Sequence, residues 1–174
     1  MKKFLATFVL SLLLIVSSGS TVFAAKPAPN TIVDVAIAVN SDGVYAGYFD
    51  TLIAAVLAAD PAVLSTLTGR GQFTVFAPTD DAFAALGLTP ENVGTLDKGT
   101  LTQILLYHVA KGRRDASAVI DSSRIRTLQG GFLKQAGGVL TDKLGREANI
   151  IVTDVPADNG IIHVIDAVVL PFAP

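Results

Sequence analysis

Histidine titrates nearest neutral pH, and this sequence of 174 residues holds only two, His108 and His163. With Asp81 and Asp166 they form the set from which a two-histidine, two-carboxylate metal centre could be drawn. Zinc sites of that kind show local ligand pairs, an HExxH helix or clustered cysteines, and the sequence has none of these. A structural polar pair that joins helix to sheet accounts for the same residues. Nucleophilic catalysis has as little support: no serine lies in GxSxG or SxxK, and cysteine is absent. Gly130-Gly131 and Gly137-Gly138 fit neither GxGxxG nor a phosphate-binding loop, and read as turn glycines. The paired carboxylates Asp80 and Asp81 follow Thr79, where a capped helix start explains them. These residues point away from an enzyme and call for no metal and no cofactor.

Charge offers a different chemistry. Lys111, Arg113, Arg114, Arg124 and Arg126 crowd into sixteen positions, diluted by Asp115 and Asp121. Such a run is either a solvated face or a contact for a polyanion such as an acidic cell-wall polymer or glycan. Arg124 and Arg126 share one side of an expected strand. His108 stands three and four places after Leu105 and Ile104, on the apolar stripe of its helix, as a hydrogen-bonded core histidine would.

The elements that must hold these residues begin after a targeting segment. Lys2 and Lys3 precede an apolar run from Phe4 to Val16, and Val22-Phe23-Ala24 suits a cleavage site. Residues 1–24 therefore read as a secretory signal peptide, residues 25–30 as a short extended leader, and residues 31–174 as one domain. The apolar run is shorter than the ~20 residues that span a bilayer, so no transmembrane segment is expected once the signal is cleaved. Without Lys2 and Lys3 the 13 basic residues become 11 against 15 acidic, a net −4 that disfavours nucleic acid.

Thr31 can cap a helix carrying Ile32, Val35 and Val39. The spacing of Tyr45, Tyr48, Phe49, Leu52 and Val56 predicts a second helix, and Asp60-Pro61 starts a third. Residues 72–86, QFTVFAPTDDAFAAL, read as a strand buried on both faces, a proline corner and a helix whose Phe83 and Leu86 return to the core. A helix through Leu101 and Ile104 runs to Lys111-Gly112, and Asp115 caps a short one through Ile120. Strands and glycine turns follow from Arg124, then an Asp158-Asn159-Gly160 hairpin and an apolar strand from Ile161 to Leu170. Helices first and strands later predict an α+β fold.

FTVFAPTDDAF resembles the first signature block of the fasciclin-like (FAS1) domain family. ILLYHV at 104–109 and NGIIHVIDAVVLP at 159–171 resemble two further blocks in the same order. The resemblance implies a compact FAS1-type wedge with a mixed β-core and N-terminal and flanking helices. It assigns mainly structural roles to Phe73, Val75, Phe76, Ala77, Pro78, Thr79, Asp80, Asp81 and Phe83 in the first block. Tyr107 and His108 fall in the second, and Gly160, His163, Val164, Ile165, Asp166, Leu170 and Pro171 in the third. In some animal members a Tyr-His pair with apolar flanks, matching Tyr107-His108, is implicated in integrin-mediated adhesion. The resemblance thus implies a secreted, non-enzymatic adhesion or matrix-associated module of bacterial type, extracellular or periplasmic and associated with the cell surface. Its partner would be an extracellular or cell-wall protein or glycan. Some relatives bind carotenoids, so a carrier of an apolar small molecule is the alternative.

Overall fold

A computed structural model describes residues 30–172; the signal peptide and most of the leader expected from the sequence lie outside the described residues. Three helices come first: α1 (Ile32–Ser41), α2 (Asp50–Ala58) and α3 (Pro61–Leu67). Thr31 opens α1 with a reciprocal capping box, in which Asp34 N–H donates to Thr31 Oγ1 and Thr31 N–H to the Asp34 carboxylate at 2.8 Å. Asp60 caps α3 through Ala62 N–H, with Pro61 at the first helical position.

The second helix is shorter than its apolar spacing predicts. Gly47 sits at φ +74, and Asn40 Oδ1 takes the Phe49 amide at 2.7 Å, so Tyr45 and Tyr48 stay in a turn as an edge-to-face pair. Phe49, at the N-cap position, offers no capping side chain. The carboxylate of Asp80 supplies the cap instead, accepting from Asp50 and Thr51 N–H at 3.2 and 2.8 Å. A residue expected to serve only its own helix therefore also anchors another.

Strand β1 (Phe73–Pro78) runs through the middle, and Thr79 turns it into α4 (Asp80–Ala84) by accepting from Ala82 N–H. Leu86 lies beyond that helix and is 40% exposed, so it does not return to the core as expected. After a 3-10 turn at Val93–Thr95 comes α5 (Lys98–Tyr107), then β2 (Val109–Lys111). The expected helix to Lys111 stops at Tyr107, because residues 109–111 pair antiparallel with β1. Helix α6 (Ala116–Ile120) leads to β3 (Arg124–Arg126), β4 (Phe132–Ala136), β5 (Val139–Thr141), β6 (Glu147–Ala157) and β7 (Gly160–Ile165). The last strand ends five residues before Leu170, since the Asp166 side chain bonds back to Asn149 and the chain turns there.

The seven strands form one mixed sheet in the order β2-β1-β7-β6-β5-β4-β3. Among the described residues only β1 and β7 pair in parallel, from Phe73↔Gly160 to Pro78↔Ile165. A bridge between Ala110 and Thr127 joins the two edge regions, so the sheet curls round on itself. Because side chains alternate along β1, Val75 and Ala77 pack with the helices while Phe76 enters a second core. That second core lies within the curl and holds Tyr107, Ile125, Leu133, Leu140 and Ile165, none more than 1% exposed.

The hairpin before β7 fastens the layers. Asn159 is buried; its Oδ1 accepts from Ile32 N–H at 2.8 Å, and its Nδ2 donates to the carbonyls of Leu67 and Gly69. At Gly160 a Cβ would collide with the Phe73 carbonyl and the Ile32 side chain. Asn159→Ala strands one donor and two acceptors, and is expected to cost about 3 kcal/mol. Gly160→Ala forces β1 and β7 apart at a cost of roughly 2–3 kcal/mol. Urea denaturation checks both, and an unchanged midpoint for either variant would remove that residue from the fastening.

Candidate functional site

The candidate residues fall in three places: the C-terminal end of α5, the turn preceding α6, and the outer face of β2, β3 and β4. At the first, Asp97 caps α5 through Thr100 N–H, which brings Tyr107 and His108 to its far end. They point to different layers. Tyr107 enters the curled sheet, where its hydroxyl donates to the Phe132 carbonyl at 2.7 Å. His108 is buried; its Nδ1 donates to the Ile104 carbonyl at 2.8 Å and its Nε2 accepts from Val169 N–H at 3.2 Å. Burial pushes the imidazole pKa down to about 4, against the opposing pull of the Ile104 carbonyl and the Asp142 charge. The ring is neutral at physiological pH and both its nitrogens are occupied. Neither member of the Tyr-His pair offers an adhesive surface.

Beside His108, the segment that follows β7 is held by a residue the sequence reading missed. Asp142 is 3% exposed and accepts from Leu144, Arg146 and Leu170 N–H, and it pairs with the Arg146 guanidinium at 2.7 Å. Burial works against its charge, but the Leu170 and Arg146 amides and the Arg146 side chain outweigh it and hold the carboxyl below its ordinary range. Its signal in the sequence is the turn DKLGR, with Gly145 at φ +82.

His163, on β7, lies in the second place. It is fully buried and stacked near Phe76, with Nε2 donating to the Arg114 carbonyl at 2.8 Å and Nδ1 accepting from Asp154 N–H at 3.3 Å. Asp154 holds a left-handed φ of 62 in the bulged part of β6, and its carboxylate caps α6 through Ala116 N–H. Asp81 is exposed on α4, and Asp166 is bonded to Asn149. The two histidines and two aspartates drawn as a metal centre do not converge, and no other group of three such ligands does among the described residues.

The cations separate as well. Arg113 donates through one guanidinium nitrogen to the carbonyls of Ala157 and Gly160, so although exposed it also clamps the β6–β7 hairpin. Arg114 is half-buried, and its guanidinium reaches Ser122 Oγ at 3.3 Å. Lys111, Arg113, Arg124 and Arg126 are exposed, and of these Arg113 alone has its guanidinium committed to backbone carbonyls. Arg124 lies 4.1 Å from the Phe132 ring centroid and Arg126 6.0 Å, both on the outer face of the sheet. Lys134 joins them from β4; the alternation in FLKQA marks it as outward-facing.

The described residues also form two sizeable apolar clefts. One of about 100 Å³ opens among α1, α2 and α3, beneath exposed Ile37 and Leu57, and reaches Phe76 and His108. The other, about 220 Å³, lies between Phe83, Leu96, Ile104 and Phe172.

The His108 pKa shift gives stability a definite pH dependence. Unfolded, the ring binds its proton near 6.5; folded, only near 4. Between those values the unfolded chain holds more protons, so this stabilisation is complete above pH 6.5 and is lost as pH falls to about 4. The loss is on the order of 3 kcal/mol at ~1.4 kcal/mol per pH unit. Melts at pH 7 and pH 4.5 should show a smaller acid shift for His108→Gln than for wild type. Equal shifts would exclude His108 as the titrating group. Asp142→Ala is expected to lower stability at pH 7 by about 3 kcal/mol, read from urea midpoints, because it strands buried amides and a guanidinium.

The family model of the fasciclin domain matches residues 47–171. The chain is similar to protein sll1483 of Synechocystis, 45% identical over 133 residues that cover 71% of this chain and 67% of that one. It is similar to human periostin, 32% identical over 127 residues, which are 71% of this chain but 15% of periostin. Among solved structures it is similar to a FAS1 domain pair from the insect cell adhesion molecule Fasciclin I, at 25% identity and a TM-score of 0.53. That likeness covers 66% of this chain and 42% of the pair. The motif-bearing strand β1, the Tyr-His end of α5 and strand β7 all lie inside the matched span, and the chain belongs to the fasciclin (FAS1) domain family.

Proposed function

We propose that the protein is a secreted binding module that adheres to an extracellular or cell-wall protein or glycan and acts without catalysis. The observation that carries this reading is that the candidate catalytic groups are spent on the backbone. His108 bonds Ile104 and Val169, His163 bonds Arg114 and Asp154, and Asp80 caps α2. Of the candidate residues, Lys111, Arg124 and Arg126 keep exposed cations with no hydrogen-bond partner among the described residues, which suits recognition rather than reaction. Fasciclin I, whose domain pair shares this fold, is an insect cell adhesion molecule, and this supports the same reading. The basic N-terminal flank, apolar run and small-residue cleavage site support secretion to the medium or periplasm.

The cleft among α1, α2 and α3 favours a second reading, carriage of an apolar small molecule. Ile32, Leu52, Val75, Leu105 and Ile162 line it. An engineered apolar cavity of ~150 Å³ holds benzene, so about 100 Å³ suits a small apolar group and not a whole extended polyene.

Retention of the mature protein on isolated cell-wall and matrix fractions tests the adhesion reading. Saturable binding to at least one fraction is expected, and passage through all of them would overturn it. Native mass spectrometry of the purified protein separates the readings: a co-purifying small apolar molecule that disappears on filling the cleft with Ala36→Leu would favour the carrier, and its absence the adhesin.

A further inference from the structure

We propose that the outer face of β2, β3 and β4 is a preformed site for a linear extracellular polymer bearing repeated anionic groups. This deepens the adhesion reading and rests on it. In the β3–β4 register Arg124 stands opposite Lys134 and Arg126 opposite Phe132, with Ile125 and Leu133 turned into the core between them. The Ala110–Thr127 bridge that closes the sheet brings Lys111 alongside Arg126. Four cations thus gather on three neighbouring strands through the curl of the sheet, although the chain separates Lys111 from Lys134 by more than twenty positions.

This arrangement is unfavourable without an anion. Like charges directly opposite on neighbouring strands destabilise the pair. No carboxylate offsets them: the ion pair formed among the described residues joins Arg146 to Asp142, elsewhere in the fold. Asp115 is turned onto its own helix, accepting from Ala118 N–H and Ser117 Oγ, and Asp121 ends that helix. Glu147 lies on the far side of Thr141 from Lys134, two strand spacings or ~10 Å away.

The arginines are also held against a ring. Phe132, 40% exposed, has the Arg124 guanidinium over its ring at 4.1 Å and that of Arg126 at 6.0 Å, so the ring places Arg124 before a ligand arrives. Arg124 and Arg126 are two residues apart on one face of a strand, ~6.6 Å along its axis. That row meets successive charges on an extended chain better than a single small anion. Phosphate and carboxylate polymers share this chemistry, and the test separates them.

Binding of polyphosphate and of polygalacturonate is measured across a salt series for wild type and for Arg124→Gln/Arg126→Gln/Lys134→Gln. Wild type should bind at least one polymer, more weakly as salt rises. The triple variant should bind it at least tenfold more weakly at low salt. The slope of log K against log salt should shrink by on the order of 2, at roughly 0.7 per lost contact. Arg70→Gln/Lys98→Gln, exposed cations on other elements, should match wild type. The triple variant should melt within about 2 °C of wild type, because its changed side chains are all at the surface. Wild type binding neither polymer, or the triple variant binding as wild type does, would overturn the site. If wild type and triple variant are retained equally by the wall and matrix fractions, adhesion stands and this face is not its surface. If wild type binds polymer but no fraction, the site stands and the adhesion reading falls.

Discussion

The parallel pairing of β1 with β7 is the constraint on which the rest of the structure depends. It joins residues 73–78 to residues 160–165, at the far end of the described chain, so it forms only once the intervening elements have looped back. Both strands are buried on both faces, one toward the helices and the other toward the inside of the curled sheet. Each core therefore needs this pair as a wall. The close approach of the two backbones leaves no room for a side chain at Gly160, and Asn159 beside it satisfies the start of α1 and the end of α3 with one amide. Helical layer and sheet are thus fixed at the same corner.

A fold closed this way produces many buried backbone groups outside regular pairing, and polar side chains inside it are consumed in satisfying them. Val169 and Leu170 follow the end of β7, and their amides go to His108 and Asp142. Asp154 departs from regular strand conformation, and its amide goes to His163. Residues that look chemically promising in the sequence are thereby accounted for by architecture. The same reasoning explains why they cluster in the signature blocks: those blocks contain the strands that must be buried and the irregular backbone at their ends.

What was legible in the sequence was local. Thr31 with Asp34, Asp60 with Pro61, and Thr79 with Ala82 are caps whose partners lie within three residues, so side-chain type and spacing suffice. The strand β1, the hairpin at Asn159 and the α+β order were readable for the same reason. Where the partner is distant, the reading failed or was incomplete. The start of α2 depends on Asp80, thirty residues on, and periodicity alone overran it. Arg113 is tied to a hairpin more than forty residues away, and Lys134 gains its place from the register of β4 against β3. Asp142 looks like a turn residue in sequence, and only the fold brings Leu170 to it.

Curling the sheet separates stability from surface chemistry. Along β3 and β4, Ile125 and Leu133 are fully buried, while the positions between them touch solvent and each other. Burial of an aliphatic side chain contributes ~1.5–3 kcal/mol, so the inward set fixes register and curvature. Exposed substitutions away from special contacts usually change stability by within ~0.5 kcal/mol, so the outward set can vary at little cost. A sheet left open would expose its edge backbone as an unspecific template for pairing. The Ala110–Thr127 bridge narrows that opening, so the outer face there presents side chains rather than unpaired backbone. One inward pattern can then carry many outward ones, so a single fold can present very different surfaces.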